Sequence, residues 1–154
     1  MLLQFAVGGL WFGLPLSDVR EVLLIPELIR TPGRPAFLEG VLNLAGSAVP
    51  VICLAGLFQL SEKELEPYDH VLLLKKGYGL LVKRVEKVLH RSQTEALSVP
   101  PSLSFNDCVI ECLRVDEHVV IHLSEEKLLL LEERKRMEEF KRIEQARLAA
   151  VEEA

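Results

Sequence analysis

The chain has 154 residues, 49% of them hydrophobic and 6% aromatic, enough for one mostly aliphatic core. Its net charge of −5, with Lys and Arg scattered among acids, excludes the phosphate-tracking surface that nucleic-acid binders need. Three cysteines, Cys53, Cys108 and Cys112, are too few and too odd in number for a disulfide framework, which points to a reducing cytoplasm.

Residues 1–17, MLLQFAVGGLWFGLPLS, are uncharged but lack a basic leading segment, and Gly8, Gly9 and Pro15 break the apolar block. A buried hairpin turning at Gly8-Gly9 is expected instead of a secretory signal. A strand around Leu28 to Arg30 should end at Thr31-Pro32-Gly33-Arg34-Pro35, because proline lacks a backbone donor and biases its predecessor to extended geometry. Residues 40–61, GVLNLAGSAVPVICLAGLFQLS, are long enough to cross a bilayer. Asn43, Ser47, Pro50 and Gln59 interrupt them, and no basic cluster or aromatic belt flanks them, so no membrane insertion is expected. Period two makes them two short strands, 41–44 and 49–52, around Ala45-Gly46-Ser47, with Leu54 to Leu60 as a turn or short helix.

FGLPLSDVREVL (12–23) aligns without a gap on YGLLVKRVEKVL (78–89), placing Gly13 with Gly79, Val19 with Val85 and Leu23 with Leu89. Each copy follows a strand and a tight turn, Gly8-Gly9 or Lys76-Gly77. One β module used twice is expected, with residues 61–70 as the polar connector and a groove between the copies. Residues 92–107, with Pro100-Pro101, read as a long loop. VIECL (109–113) opens a hairpin that turns at Asp116-Glu117 into His118–Leu123.

Cys108-x3-Cys112 with His118-x3-His122 has the ingredients of a metal site or a small enzyme centre. Geometry argues against it: i, i+4 residues on a strand stand about 13 Å apart, and a two-residue turn at Asp116-Glu117 sends the histidines and the cysteines to opposite faces. No nucleophile elbow, phosphate loop or dinucleotide fingerprint appears, so no catalytic residue and no cofactor is expected. From Ser124, a capping residue followed by Glu125 and Glu126, a helix should run to the end of the chain. Leu129, Met137, Phe140, Ile143 and Val151 would form its apolar side. It should pack its leucine-rich start on the β body and project a charged remainder, residues 132–154, which could also serve self-association.

PAFLEGVLNLAGSAVPVICL (35–54) resembles the pattern of the CheW family of chemotaxis coupling proteins, matching at Pro35, Phe37, Gly40, Val41, Asn43, Leu44, Gly46, Pro50, Val51 and Leu54. FGLPLSDVREVL, GLLVKRVEKVL and EEKLL (125–129) are similar to other parts of the same pattern. The resemblance implies a mainly β fold of two packed, five-stranded, SH3-like barrels over residues 1–131, followed by the long C-terminal α-helix. It also implies a non-catalytic cytoplasmic adaptor that joins the regulatory domain of a CheA-type histidine kinase to the cytoplasmic tip of a methyl-accepting chemoreceptor. The partner-binding residues it implies are Val19, Glu21 and Val22, with Gly40, Asn43, Ala45, Gly46 and Pro50 shaping the inter-module surface. Ala45 stands where the family usually has arginine, Cys53 where it usually has aspartate, and Lys83 and Ser124 where aspartates are common.

Overall fold

The computed structural model describes residues 1–24, 27–59, 70–99 and 107–153. Among these residues, twelve strands form two six-stranded sheets, where the resemblance implies five strands each. The first sheet contains β1 (Leu2–Val7), β2 (Leu10–Pro15), β9 (Arg84–Leu89), β10 (Glu95–Leu97), β11 (Val109–Val115) and β12 (His118–Leu123), in the order β10-β11-β12-β2-β1-β9. The second contains β3 (Val19–Leu24), β4 (Leu28–Ile29), β5 (Leu38–Leu44), β6 (Ser47–Cys53), β7 (His70–Leu74) and β8 (Gly79–Val82), in the order β3-β7-β8-β6-β5-β4. Helix α1 (Leu54–Leu57) is short and α2 (Leu131–Glu153) is long.

The sequence repeat is also a structural one. In both copies a hairpin is closed by left-handed turn residues, Gly8 and Gly9 in the first and Gly77 in the second. Its second strand then takes a parallel neighbour: β12 beside β2, with Ile121 against Phe12, and β6 beside β8, with Ile52 against Leu80. Each hairpin hands its following strand to the other sheet. A 3-10 turn at Leu16–Asp18 carries the chain from β2 out to β3, which pairs β7, while β9 leaves β8 to pair β1. The sheet boundaries therefore fall at residues 18 and 83, not at the expected connector, of which residues 61–69 lie outside the described residues. The expected long loop 92–107 is shortened by a 3-10 turn at Arg91–Gln93 and by β10; residues 100–106 also lie outside the described residues.

Among the described residues no open groove divides the sheets, because their facing sides share one apolar core. Phe5, Phe12 and Leu14 from the first meet Val41, Ile52, Leu72 and Leu80 from the second, and Phe5 stacks on Phe12. Smaller clusters line the far faces: Leu28, Leu42, Val49, Val51, Val71 and Leu73 on the second sheet, and Leu89, Val115 and Val120 on the first.

The C-terminal helix departs from expectation in start, face and course. Ser124 donates its N–H to Cys108 O at 2.7 Å, and Lys127 and Leu128 close single turns onto Ser124 and Glu125. Leu128 and Leu129 are buried in the shared core, and Glu125 is 5% exposed, accepting from Tyr78 Oη and pairing with Lys76 Nζ at 2.8 Å. Burial of consecutive residues on different sides is incompatible with a helix that must leave one side in water, so α2 starts only at Leu131. Its buried face is Met137, Phe140 and Glu144, with Leu148 packed against the core, while Ile143 and Val151 are exposed. The charged part does not project; it lies along β5 and β6.

Candidate partner-binding surface

The residues implied as partner-binding fall at two places on the second sheet. β3 is an edge strand, hydrogen-bonded to β7 on one side and without a neighbouring strand on the other among the described residues. A bulge between Val19 and Glu21 breaks its alternation, so Val19 packs towards the shared core while Arg20, Glu21 and Val22 are all exposed. Leu24, at 65% exposure, extends the apolar part of this edge beyond Val22. An exposed edge strand offers main-chain hydrogen bonds to an incoming segment, and its side chains supply the selection.

The second place is the β5–β6 hairpin. Leu44 faces Ser47 across a two-residue turn in which both Ala45 (φ 52°) and Gly46 (φ 90°) are left-handed. Asn43 Oδ1 accepts the Gly46 N–H at 2.9 Å and fixes that turn. Asn43 and Ala45 are exposed and Gly46 is half-buried. Gly40 and Pro50 are buried, and this changes the expectation for them. A Cβ on Gly40 would come within 2.6 Å of Ile29 O, so this glycine admits β4 against β5 instead of shaping an outer surface. Pro50 lies in β6 just before the ladder to β8, which starts at Val51, so its missing N–H costs that ladder nothing.

Before Val51, where β6 has no partner from β8, its open side is occupied by α2. Gln145 Oε1 accepts the Ala48 N–H at 2.8 Å, and Gln145 Nε2 donates to Gly46 O at 2.9 Å. One side chain thus gives the hairpin the donor and acceptor that a neighbouring strand would give. Nothing in the sequence pattern singled out Gln145, because its amide acts across 97 residues of chain. In the sheet order β3 and β6 are three strand spacings apart, about 14 Å, so the edge strand and the hairpin are separate contact points on one sheet.

The Cys/His constellation does not converge. Val115 pairs with His118 and Glu111 with His122, as a two-residue turn at Asp116-Glu117 requires. Cys108 and Cys112 point into the shared core, where burial pushes the Cys108 thiol up to about 11 and raises that of Cys112. Thiols held neutral and dry are poor nucleophiles and poor metal ligands. The histidines lie on the other face and are half-buried, not on the surface: His118 Nε2 accepts from Gln4 Nε2 at 2.8 Å, and His122 Nδ1 meets Glu111 Oε2 at 3.0 Å. Arg91 grips the same carboxylate with two nitrogens, at 2.6 and 3.0 Å, and holds Glu111 below the usual carboxylate range. Among the described residues no helix is long and apolar enough to cross a membrane.

Comparison with known proteins agrees with this architecture. A family model described as CheW-like domain matches residues 1–133. The chain is 28% identical over 106 residues to the chemotaxis protein CheW of Treponema pallidum, an alignment covering 64% of this chain and 62% of that protein. It is 25% identical over 127 residues to the chemotaxis protein CheW of Helicobacter pylori, covering 73% and 77%. With protein PilI of Pseudomonas aeruginosa it shares 30% identity over 89 residues, covering 56% of this chain and 50% of that one. The chain thus spans between half and about three-quarters of the length of these relatives. The crystal structure of the scaffolding protein TtCheW from Thermoanaerobacter tengcongensis superimposes with a TM-score of 0.69 at 24% identity, covering 80% of this chain and 87% of that one, and so shares its fold. With the family model matched from the first strand to the start of α2, over a fold that a CheW structure shares, the chain belongs to the CheW-like family.

Proposed function

We propose that this protein is a non-catalytic cytoplasmic adaptor that couples the regulatory domain of a CheA-type histidine kinase to the cytoplasmic tip of a methyl-accepting chemoreceptor. The observation that carries this reading is the open edge of β3, where Glu21, Val22 and Leu24 are exposed on a strand with one neighbour among the described residues. A partner that adds its own strand or loop there would gain main-chain hydrogen bonds and bury Val22 and Leu24. The exposed turn residues Asn43 and Ala45 form a second, smaller contact. The resemblance puts an arginine at the position of Ala45 and an aspartate at that of Cys53; if those two pair, both charges are gone here and neither is orphaned.

The test is a calorimetric titration of the intact protein with the regulatory domain of the CheA-type kinase from the same cell. Saturable binding is expected, and Val22→Arg on β3 should weaken it at least tenfold, because a charge would be desolvated in the contact. Unchanged affinity of a folded Val22→Arg variant would remove β3 from the interface. Absence of binding by the unaltered protein at two temperatures would mean a different partner for the same scaffold.

A further inference from the structure

Helix α2 is fastened to the β body by two unlike halves. The first is anchored through apolar burial: Met137 and Phe140 belong to the shared core, and Arg134 Nη2 donates to Glu125 O at 3.2 Å just ahead of the helix. From Lys141 onward the inward positions change character. Glu144 is buried as a carboxylate paired with Arg147, Gln145 and Leu148 are half-buried, and Val151 is 73% exposed. A carboxylate placed where an aliphatic side chain could pack offsets much of what burial would contribute there. The turns after Phe140 are therefore held less tightly than the turns before it. They also lie past residue 133, where the match to the family model ends.

This weaker half covers one side of the β5–β6 hairpin. Ala48 N–H, which points away from β5, is taken by Gln145 Oε1, and the Gly46 carbonyl is taken by Gln145 Nε2. Pro50, two residues on and on the same side of the strand, has no N–H. Before the ladder to β8 starts at Val51, those two groups are thus what the hairpin offers to an incoming main chain. The Gln145 amide cannot stay in place while another chain uses them. The same side chain braces the turn of Asn43, Ala45 and Gly46, because Gly46 is bonded to Asn43 through its N–H and to Gln145 through its carbonyl.

We infer that residues 141–151 of α2 form a strap that closes over the β5–β6 hairpin and opposes partner binding there, hinging after Phe140 while Met137 and Phe140 stay in the core. The inference rests on the adaptor reading and takes an extended segment of the kinase regulatory domain as the competing occupant. Closure and binding are alternatives. The affinity of the intact chain is therefore reduced to the fraction of molecules whose strap is open, and whatever loosens the strap raises it. By the same linkage, the bound partner holds the strap open.

The test starts with amide exchange of the intact protein, followed by NMR without a partner. Residues 141–151 and Ala48 should exchange together, and faster than residues 134–140. Protection of Ala48 equal to that of the core strands would overturn the inference. Gln145→Ala and the unaltered chain are then titrated calorimetrically with the kinase regulatory domain. The variant should be less stable yet bind about fivefold more tightly, the factor that one net hydrogen bond contributes to closure. A residue with only a structural role would lower stability without raising affinity. In the complex, exchange at residues 141–151 should rise. Saturable binding with no gain in Gln145→Ala would overturn the strap and leave the adaptor reading standing, whereas no binding by either chain would overturn both. If Gln145→Ala does not fold, Leu148→Ala loosens the same half without touching the hairpin bonds, and the same gain in affinity decides.

Discussion

Single residues in the β5–β6 hairpin show how backbone geometry and side-chain choice compete. Ala45 occupies a left-handed conformation that costs an L-residue about 1 kcal/mol. Ala45→Gly should therefore stabilise the protein by about 0.5 kcal/mol after the added unfolded-chain entropy, read from the urea midpoint. Gly40→Ala should do the opposite, losing about 1–3 kcal/mol as its Cβ meets Ile29 O and β4 is displaced. A hydrogen-exchange measurement should show the loss concentrated at Leu28 and Ile29. Glu111 gives a pH signature. Its carboxyl is lowered first by the hydrogen bond from Arg91 and then by that from His122, against an opposing effect of burial. A lowered folded value means the contribution is present above the unfolded value of about 4.3 and is lost as pH falls through the folded one. Glu111→Gln should be less stable than the unaltered protein at pH 7, and the difference should shrink below about pH 4 in acid titrations followed by circular dichroism.

At the scale of elements, α2 shows why a helix cannot be placed by its own pattern. Caps and charges at Ser124 to Glu126 are good local signals, yet Glu125 is drawn to Tyr78 and Lys76, and Leu128 and Leu129 are drawn into the core. The helix then begins where Leu130 N–H finds Glu133 Oε1 at 2.8 Å. Its inner face includes Glu144, 3% exposed and paired with Arg147 at 3.0 Å, a residue that any hydrophobicity count assigns to solvent. Gln145→Ala should cost about 1–3 kcal/mol, since it strands the Ala48 N–H on β6 and the Gly46 carbonyl in the turn before it, and chemical denaturation would read it. A cost near zero would show that water replaces the amide. Removing residues 132–154 should destabilise the β body itself, because Met137 and Phe140 belong to its core; a self-association role for the helix would need its exposed Ile143 and Val151 instead. The strands were far more legible. Period two and turn residues place β6, β11 and β12 within about two residues and the β1–β2 turn at Gly8-Gly9, because each hairpin satisfies its hydrogen bonds locally, whereas β5 starts at Leu38 instead of Val41.

For the whole molecule, the exchange of β3 and β9 between the sheets ties the repeat copies together. Each sheet contains strands from both, and the apolar core lies between them. Unfolding should be a single cooperative transition by calorimetry and by circular dichroism alike. A chain cut between residues 60 and 70 should yield two fragments that are each unfolded alone and recover structure when mixed, since β3 needs β7 and β1 needs β9. Independent folding of residues 1–60 would refute the exchange. The sequence by itself determined the mainly β class, the internal repeat, the hairpin registers and, through the motif around Asn43 to Pro50, the family. These rest on contacts between residues near in the chain, or on residue types that a tight turn demands. Only the tertiary structure decided that the sheets divide at residues 18 and 83, that Gly40 and Pro50 are packing residues, and that Gln145 covers the start of β6 beyond the reach of β8. Each of these depends on which distant segment lies alongside, and no local periodicity encodes that choice.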